Sequence, residues 1–256
     1  MNRRMPNSFQ ALIIAPMAML AFSCWTLAQT ASPAGQPASQ LPANTQDISG
    51  VWLGDGGGNN RPLLSQPASK LMQPWVKAKF DAQGVTSDPD PFLEACEPLG
   101  VPRVLLTNTP VKILQTAGQF VMLYERNHDF REIYTDGREH PKNPDPSWWG
   151  HSIGRWEGSA FVVDTVGLSD RTWIDWTGLP HTEALHVVER YQRLDANQMQ
   201  MELTIDDPGA YTQPFTVKRM FTLKPTWSIG EDICTRSDEQ HFRQGIVQPA
   251  TAPTVR

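Results

Sequence analysis

From Val111 onward, apolar and polar residues alternate with a period of two in one run after another. The clearest run is 198–206, where Met199, Met201, Leu203 and Ile205 oppose Gln200, Glu202, Thr204 and Asp206. That pattern predicts a strand with one buried face. Val111 to Thr116 and Gln119 to Glu125 are β-rich runs parted by Ala117-Gly118, a hairpin signal. Phe130 to Thr135 ends at the turn pair Asp136-Gly137. His151 to Trp156 and Ala160 to Thr165 flank Glu157-Gly158-Ser159, and Ala184 to Leu194 and Gln198 to Ile205 flank Asp195-Ala196-Asn197. Pro214 to Leu223 and Trp227 to Cys234 complete the series, with Gly50 to Leu53 far upstream. About ten strands with short connections predict an antiparallel meander. The one helix candidate is Pro67 to Ala82, which Pro74 should break into two pieces. No helical stretches of about 10–15 residues separate the strands, which excludes a parallel α/β sheet.

The run 184–194 departs from the simple rule. Leu185, Val187, Glu189 and Tyr191 share one face, and Ala184, His186, Val188 and Arg190 the other, so neither face is purely apolar. Strands of this kind suit a barrel with a semi-polar interior. The expected fold is therefore mainly β: an antiparallel meander closing into a barrel, with a short N-terminal helical segment.

Composition narrows the setting. The chain has 256 residues, nine Trp and ten Phe, which excludes disorder throughout. A net charge of -5 argues against a nucleic-acid partner. Arg3 and Arg4, the apolar run from Ala11 to Phe22 and Thr26-Leu27-Ala28 read as a secretory signal over 1–28. The run is short of the roughly 20 residues of a permanent span, so no stable membrane insertion is expected after cleavage. Cys24 raises a lipid-anchor alternative, although Ala21-Phe22-Ser23 before it makes a poor lipobox. Residues 29–46 read as a disordered tether and 237–256 as a flexible tail, leaving one barrel domain over 47–236. In a periplasmic or secreted chain, Cys96 and Cys234 most simply form a disulfide, with buried reduced thiols as the alternative.

Chemistry concentrates in 136–190. Four of the six His lie there (His140, His151, His181, His186), as do Trp148, Trp149, Trp156, Trp173 and Trp176. Aromatic and titratable groups gathered in loops are where small-molecule sites are assembled, although Trp caps and cross-strand ion pairs produce the same clustering. Three chemistries can be drawn from it. Gly150-His151-Ser152-Ile153-Gly154 spells G-x-S-x-G, but a nucleophile elbow needs a following helix, whereas strand and hairpin patterns follow here. His181, His186 and Glu189, with His151 or His140, offer zinc-type ligands, although on a strand His186 and Glu189 point to opposite faces. His151, Asp164, His186 and Glu189 could instead perform general acid–base chemistry, with Arg155 as an anion partner. No P-loop, dinucleotide or zinc-finger fingerprint is present, and no cofactor is expected.

GHSIGRWEGSAFVVDTVG, followed by TWIDWTGLPHTEALHVVER and TIDDPGAYTQPFTV, resembles a family of exported bacterial proteins without an established activity. The resemblance runs from about Ser49 to Cys234. In that family Asp-Thr-Leu usually follows Trp-Glu-Gly, where this chain has Ser159-Ala160-Phe161. The family supplies no catalytic residues to carry over. Gly50-Val51-Trp52 is similar to the Gly-x-Trp signature of the calycins, lipocalin-like barrels that bind small apolar ligands, and an ordinary core Trp would read the same. The resulting expectation is a lipocalin-like barrel holding a small apolar or aromatic molecule. His151, Asp164, His186 and Glu189 are its candidate catalytic groups, and Arg155, Trp149, Trp173, Trp176 and His181 line its site. The alternatives are a hydrolase using Ser152 or a His-bound metal, and a binding protein without catalysis.

Overall fold

A computed structural model of the chain describes residues 46–55, 68–83 and 95–234. These all lie in one of the two units into which the chain divides, Ser39–Arg256; the other, Met1–Ala38, falls outside the described residues. The signal, the tail and nearly all of the tether expected from the sequence are likewise outside them.

Nine strands close into a barrel in sequence order: β1 (Gly50–Gly54), β2 (Val111–Thr116), β3 (Gln119–Tyr124), β4 (Phe130–Tyr134), β5 (His151–Glu157), β6 (Ala160–Val166), β7 (His186–Arg193), β8 (Gln198–Asp206) and β9 (Phe215–Leu223). β9 returns to β1 through pairs such as Trp52 with Leu223. A closed barrel of this kind is consistent with the calycin resemblance. Every junction is antiparallel except one. β4 and β5 run parallel and pair at a single position, Tyr134 with Ile153. The sixteen-residue connection between them makes this possible, because it carries the chain back so that β5 can run alongside β4 in the same direction.

The expected tenth strand, Trp227 to Cys234, does not form. β9 is already paired on both sides, so no free edge remains. The segment instead lies along the β3–β4 turn, with a bridge from Arg126 to Asp232 and Asn127 N donating to Asp232 O at 2.7 Å. The Cys96–Cys234 disulfide ties it down. The helical region breaks as expected, with α1 (Pro74–Gln83) starting at the proline, where the missing N–H costs nothing. Val76 and Phe80, four residues apart, are its buried stripe.

The inward positions fill the barrel. β8 buries Met199, Met201, Leu203 and Ile205 completely, as its alternation requires. Phe120 and Phe161 stack with centroids 4.0 Å apart. Trp52 is fully buried and donates from Nε1 to Ile48 O, while the Arg193 guanidinium lies 5.5 Å from its ring centroid. A 3₁₀ turn, η1 (Arg103–Leu106), packs in as well, with Leu105 O accepting from Arg219 Nη1. The apolar cavity left among Val104, Met122, Tyr124, Tyr191, Met199 and Phe221 measures about 10 Å³. That is room for about one water, far below the several hundred Å³ of a ligand pocket. That gap in the core is therefore too small for a ligand, and a larger space opens beside β4 and β5.

Candidate functional site

The wall formed by β4 to β7 carries a polar assembly on each side. Inside, Arg131 of β4 and Glu189 of β7 are both about fully buried. Arg131 donates from Nη2 to Glu189 Oε1 at 2.7 Å and from Nη1 to Oε2 at 3.1 Å. Its Nε donates to Ser152 Oγ, and Nη2 also donates to Thr165 Oγ1. Tyr191 OH donates to Glu189 Oε2 at 2.6 Å. Burial is the largest influence and would depress the Arg131 guanidinium, but the Glu189 carboxylate together with Tyr124 and Tyr191 holds Arg131 above its ordinary range. Burial, reinforced by the Glu189 charge, raises the Tyr191 hydroxyl, so it stays a neutral donor.

Outside, three imidazoles and one carboxylate form a chain. His140 lies on the β4–β5 connection, which is seated where Gly167 (φ +70°) has no Cβ to obstruct Pro144; a Cβ there would come within 2.8 Å of the proline. His140 Nδ1 is 2.8 Å from His151 Nδ1, and His140 Nε2 is 3.0 Å from Asp164 Oδ1. His186 Nε2 reaches the same oxygen at 2.8 Å. The His186 bond is the main reason Asp164 lies below the usual carboxylate range, and the same bond raises His186. Burial lowers His151, with the nearby His140 and Arg138 adding to the effect, so this ring is neutral at neutral pH.

Between the two assemblies, β4 and β5 part at the end where their single pairing does not reach. The slot there has a volume of about 340 Å³. Its floor is Arg131 and Ser152; Phe130, Tyr134, Trp149 and His151 form its walls. Trp149 stacks on the buried Tyr124 at 5.5 Å with an interplanar angle of 11°. Tyr134 and His151 have ring centroids 5.6 Å apart. Asp129 at the rim is pushed up to about 6 by partial burial, against the opposing pull of Arg126. A neutral imidazole, a carboxyl titrating near 6 and three aromatic rings around one slot make it the candidate site.

The structure divides the residues expected to act together. His151, Asp164 and His186 share the outer wall, and Trp149 and His151 share the slot. Glu189 does not join them: its inward position in β7 gives it to Arg131. Arg155 pairs with Glu157 at 2.6 Å on the outer surface, with Arg190 on the other carboxylate oxygen. His181 is buried in the β6–β7 connection, where its Nδ1 lies 3.0 Å from Thr182 O and burial lowers it. Trp173 and Trp176 flank the buried Arg103, whose guanidinium carbon is 5.2 and 4.4 Å from their ring centroids. The G-x-S-x-G sequence is no elbow, since 150–154 runs into β5 and then a hairpin. The Ser152 hydroxyl is engaged with Arg131 and Thr165. Nor do His181, His186 and Glu189 converge on a metal site, and among the described residues no group of three or more His, Cys, Asp or Glu is arranged to hold an ion. Tyr134, Asp129 and Arg131 are site residues that the sequence did not point to, and His140 was weighed there only as a possible metal ligand.

The outer chain has a pH signature. The raised His186 contributes stability fully below its unfolded value of about 6.5, and loses it as pH rises through its folded value. The depressed Asp164 contributes above its unfolded value of about 4, and loses it as pH falls through its folded value. Asp164→Asn should therefore destabilise the protein chiefly from about pH 4 up to the raised His186 value, with the His186 midpoint falling in an NMR titration. A urea-unfolding deficit that persists undiminished at about pH 9 would contradict the pairing.

No protein-family model and no curated protein matches the chain. The fold and the site thus define a class only: a closed nine-stranded barrel with an aromatic, histidine-walled slot at its one parallel junction.

Proposed function

We propose that the protein binds a small, partly aromatic molecule in the β4–β5 slot and transforms it by cofactor-independent acid–base chemistry, of the isomerase, lyase or hydratase type. The observation that carries this reading is His151 on the wall of a 340 Å³ slot whose other walls are aromatic, where burial lowers the imidazole and favours its uncharged form. Planar ligands stack on such walls, and a neutral imidazole is competent to take a proton near neutral pH. The export pattern at the N-terminus and the Cys96–Cys234 disulfide support work in an oxidising compartment, the periplasm or outside the cell.

The test is proton NMR of the protein with a panel of aromatic carbonyl compounds in D₂O. A ligand of the slot shifts the carbon-bound ring protons of Trp149, and catalysis replaces the hydrogen next to the carbonyl by deuterium. Trp149→Ala should weaken binding roughly tenfold, about 1.4 kcal/mol, through lost stacking. His151→Gln should leave binding in place and abolish exchange. Shifts without exchange would reduce the protein to a binding module, and a panel that leaves Trp149 unmoved would sink the slot as a site.

A further inference from the structure

We infer that His140 is a positioning residue that couples Asp164 to His151, so that a proton taken from a ligand by His151 leaves its positive charge on His140. The inference deepens the reading of His151 as the base of the slot. The proton inventory of the outer chain carries it. Asp164 is an acceptor only and stands 3.0 Å from His140 Nε2, so that nitrogen carries a proton and donates. In neutral His140, Nδ1 is then bare. It lies 2.8 Å from His151 Nδ1, so His151 carries its proton on Nδ1 and donates to His140. His151 Nε2 is left with a free lone pair. Asp164 selects the tautomer of a ring it does not touch, and His186, donating to the same carboxylate oxygen, helps keep that carboxylate ionised and oriented.

The transfer balances. A proton from the ligand bonds to His151 Nε2, and the electron pair of the broken bond stays on the ligand. The His151 Nδ1 proton moves to His140 Nδ1. His151 is again neutral, now protonated on Nε2, and His140 is an imidazolium facing Asp164. Reversal returns the proton. The charge thus comes to rest beside a carboxylate, where it is stabilised, and away from the ligand. The other charged groups around the chain are Arg138 near His151 and Asp206 near His186. His128, Asp129 and Glu132 lie along the slot, and Lys142 and Glu183 along the neighbouring groove that includes His186.

The test needs no ligand. In the full chain with ¹⁵N-labelled histidine, long-range ¹H–¹⁵N spectra report which ring nitrogens are protonated. Above the titration, His151 should carry its proton on Nδ1 and His140 on Nε2. On acidification, His151 should switch to the Nε2-protonated form in the same step in which His140 becomes doubly protonated. Independent histidines cannot produce that exchange. His140→Phe keeps a ring against His151 but removes the acceptor, so His151 should revert to the Nε2–H form that free histidine favours; His140→Ala should do the same. The coupling is overturned if His151 passes from its starting tautomer straight to the doubly protonated form without first switching to Nε2–H, or if either variant leaves its tautomer unchanged. Because ligand exchange and imidazole tautomers are separate readouts, failure here leaves the slot reading standing, and failure there leaves this one.

Discussion

Replacing Glu189 with leucine is expected to lower the unfolding free energy of the barrel by about 3–5 kcal/mol. The loss is not the worth of the ion pair itself. Arg131 keeps its charge in a site with almost no solvent contact, and after the substitution it has neutral hydroxyls such as those of Ser152 and Thr165 as partners but no carboxylate. Tyr191 loses its acceptor as well. The double variant Arg131→Met with Glu189→Leu removes the charge together with its partner and should recover most of the loss, since a buried pair replaced by apolar groups of similar size is often neutral. Urea unfolding of wild type, both single variants and the double variant provides the measurement. A Glu189→Leu cost below about 1 kcal/mol would mean that the pair is hydrated in solution rather than buried.

Reducing the Cys96–Cys234 disulfide should have the second large effect. The bond joins positions 138 residues apart, and the chain-entropy relation gives about 5 kcal/mol for closing such a loop, with about 2–5 kcal/mol usual for a native bridge. The unfolding curve in a thiol reductant and that of the Cys96→Ala, Cys234→Ala double variant should agree with one another and lie well below the curve of the oxidised protein. The loss should have a local component. The strap 230–234 holds the β3–β4 turn through Gly230 N to Glu125 Oε2 at 2.9 Å and Asp232 to Arg126 at 3.3 Å, beside the rim of the slot. An unfolding midpoint unchanged by reductant would contradict the bridge.

Much of the barrel was legible because period-two alternation fixes both strand and face at once. Glu189 is the instructive residue. Its place beside Val187 and Tyr191 marked it as inward, and an inward carboxylate needs a partner. The partner was legible too, since Arg131 alternates with Phe130 and Glu132 and shares its face with the buried Ile133. Pairing inward charges across strands would have separated Glu189 from the histidines. His140 was harder to find. It lies in an irregular proline-rich connection, which has no period to say where its side chain falls, and its role depends on Gly167 admitting that connection. The parallel β4–β5 junction was hidden for a related reason: a run of loop residues does not reveal whether it returns the chain to the same end of a sheet. Trp227 to Cys234 has strand-like composition but no edge to join, and availability of an edge is a property of the closed sheet.

The single rung between Tyr134 and Ile153 gives the molecule the character of a rolled ribbon. From β5 through β9 and β1 to β4 the ladder is continuous and antiparallel, and its two margins meet face to face. Sheet margins are ordinarily a hazard, because their unpaired N–H and C=O groups invite another chain. Here each margin screens the other, Trp149 fills part of the opening, and Arg131 buttons one margin to strands beyond the other. The width of the opening is consequently set by side chains rather than by the hydrogen-bonded ladder. Substitutions there can reshape what enters without disturbing the eight antiparallel seams that hold the ribbon together.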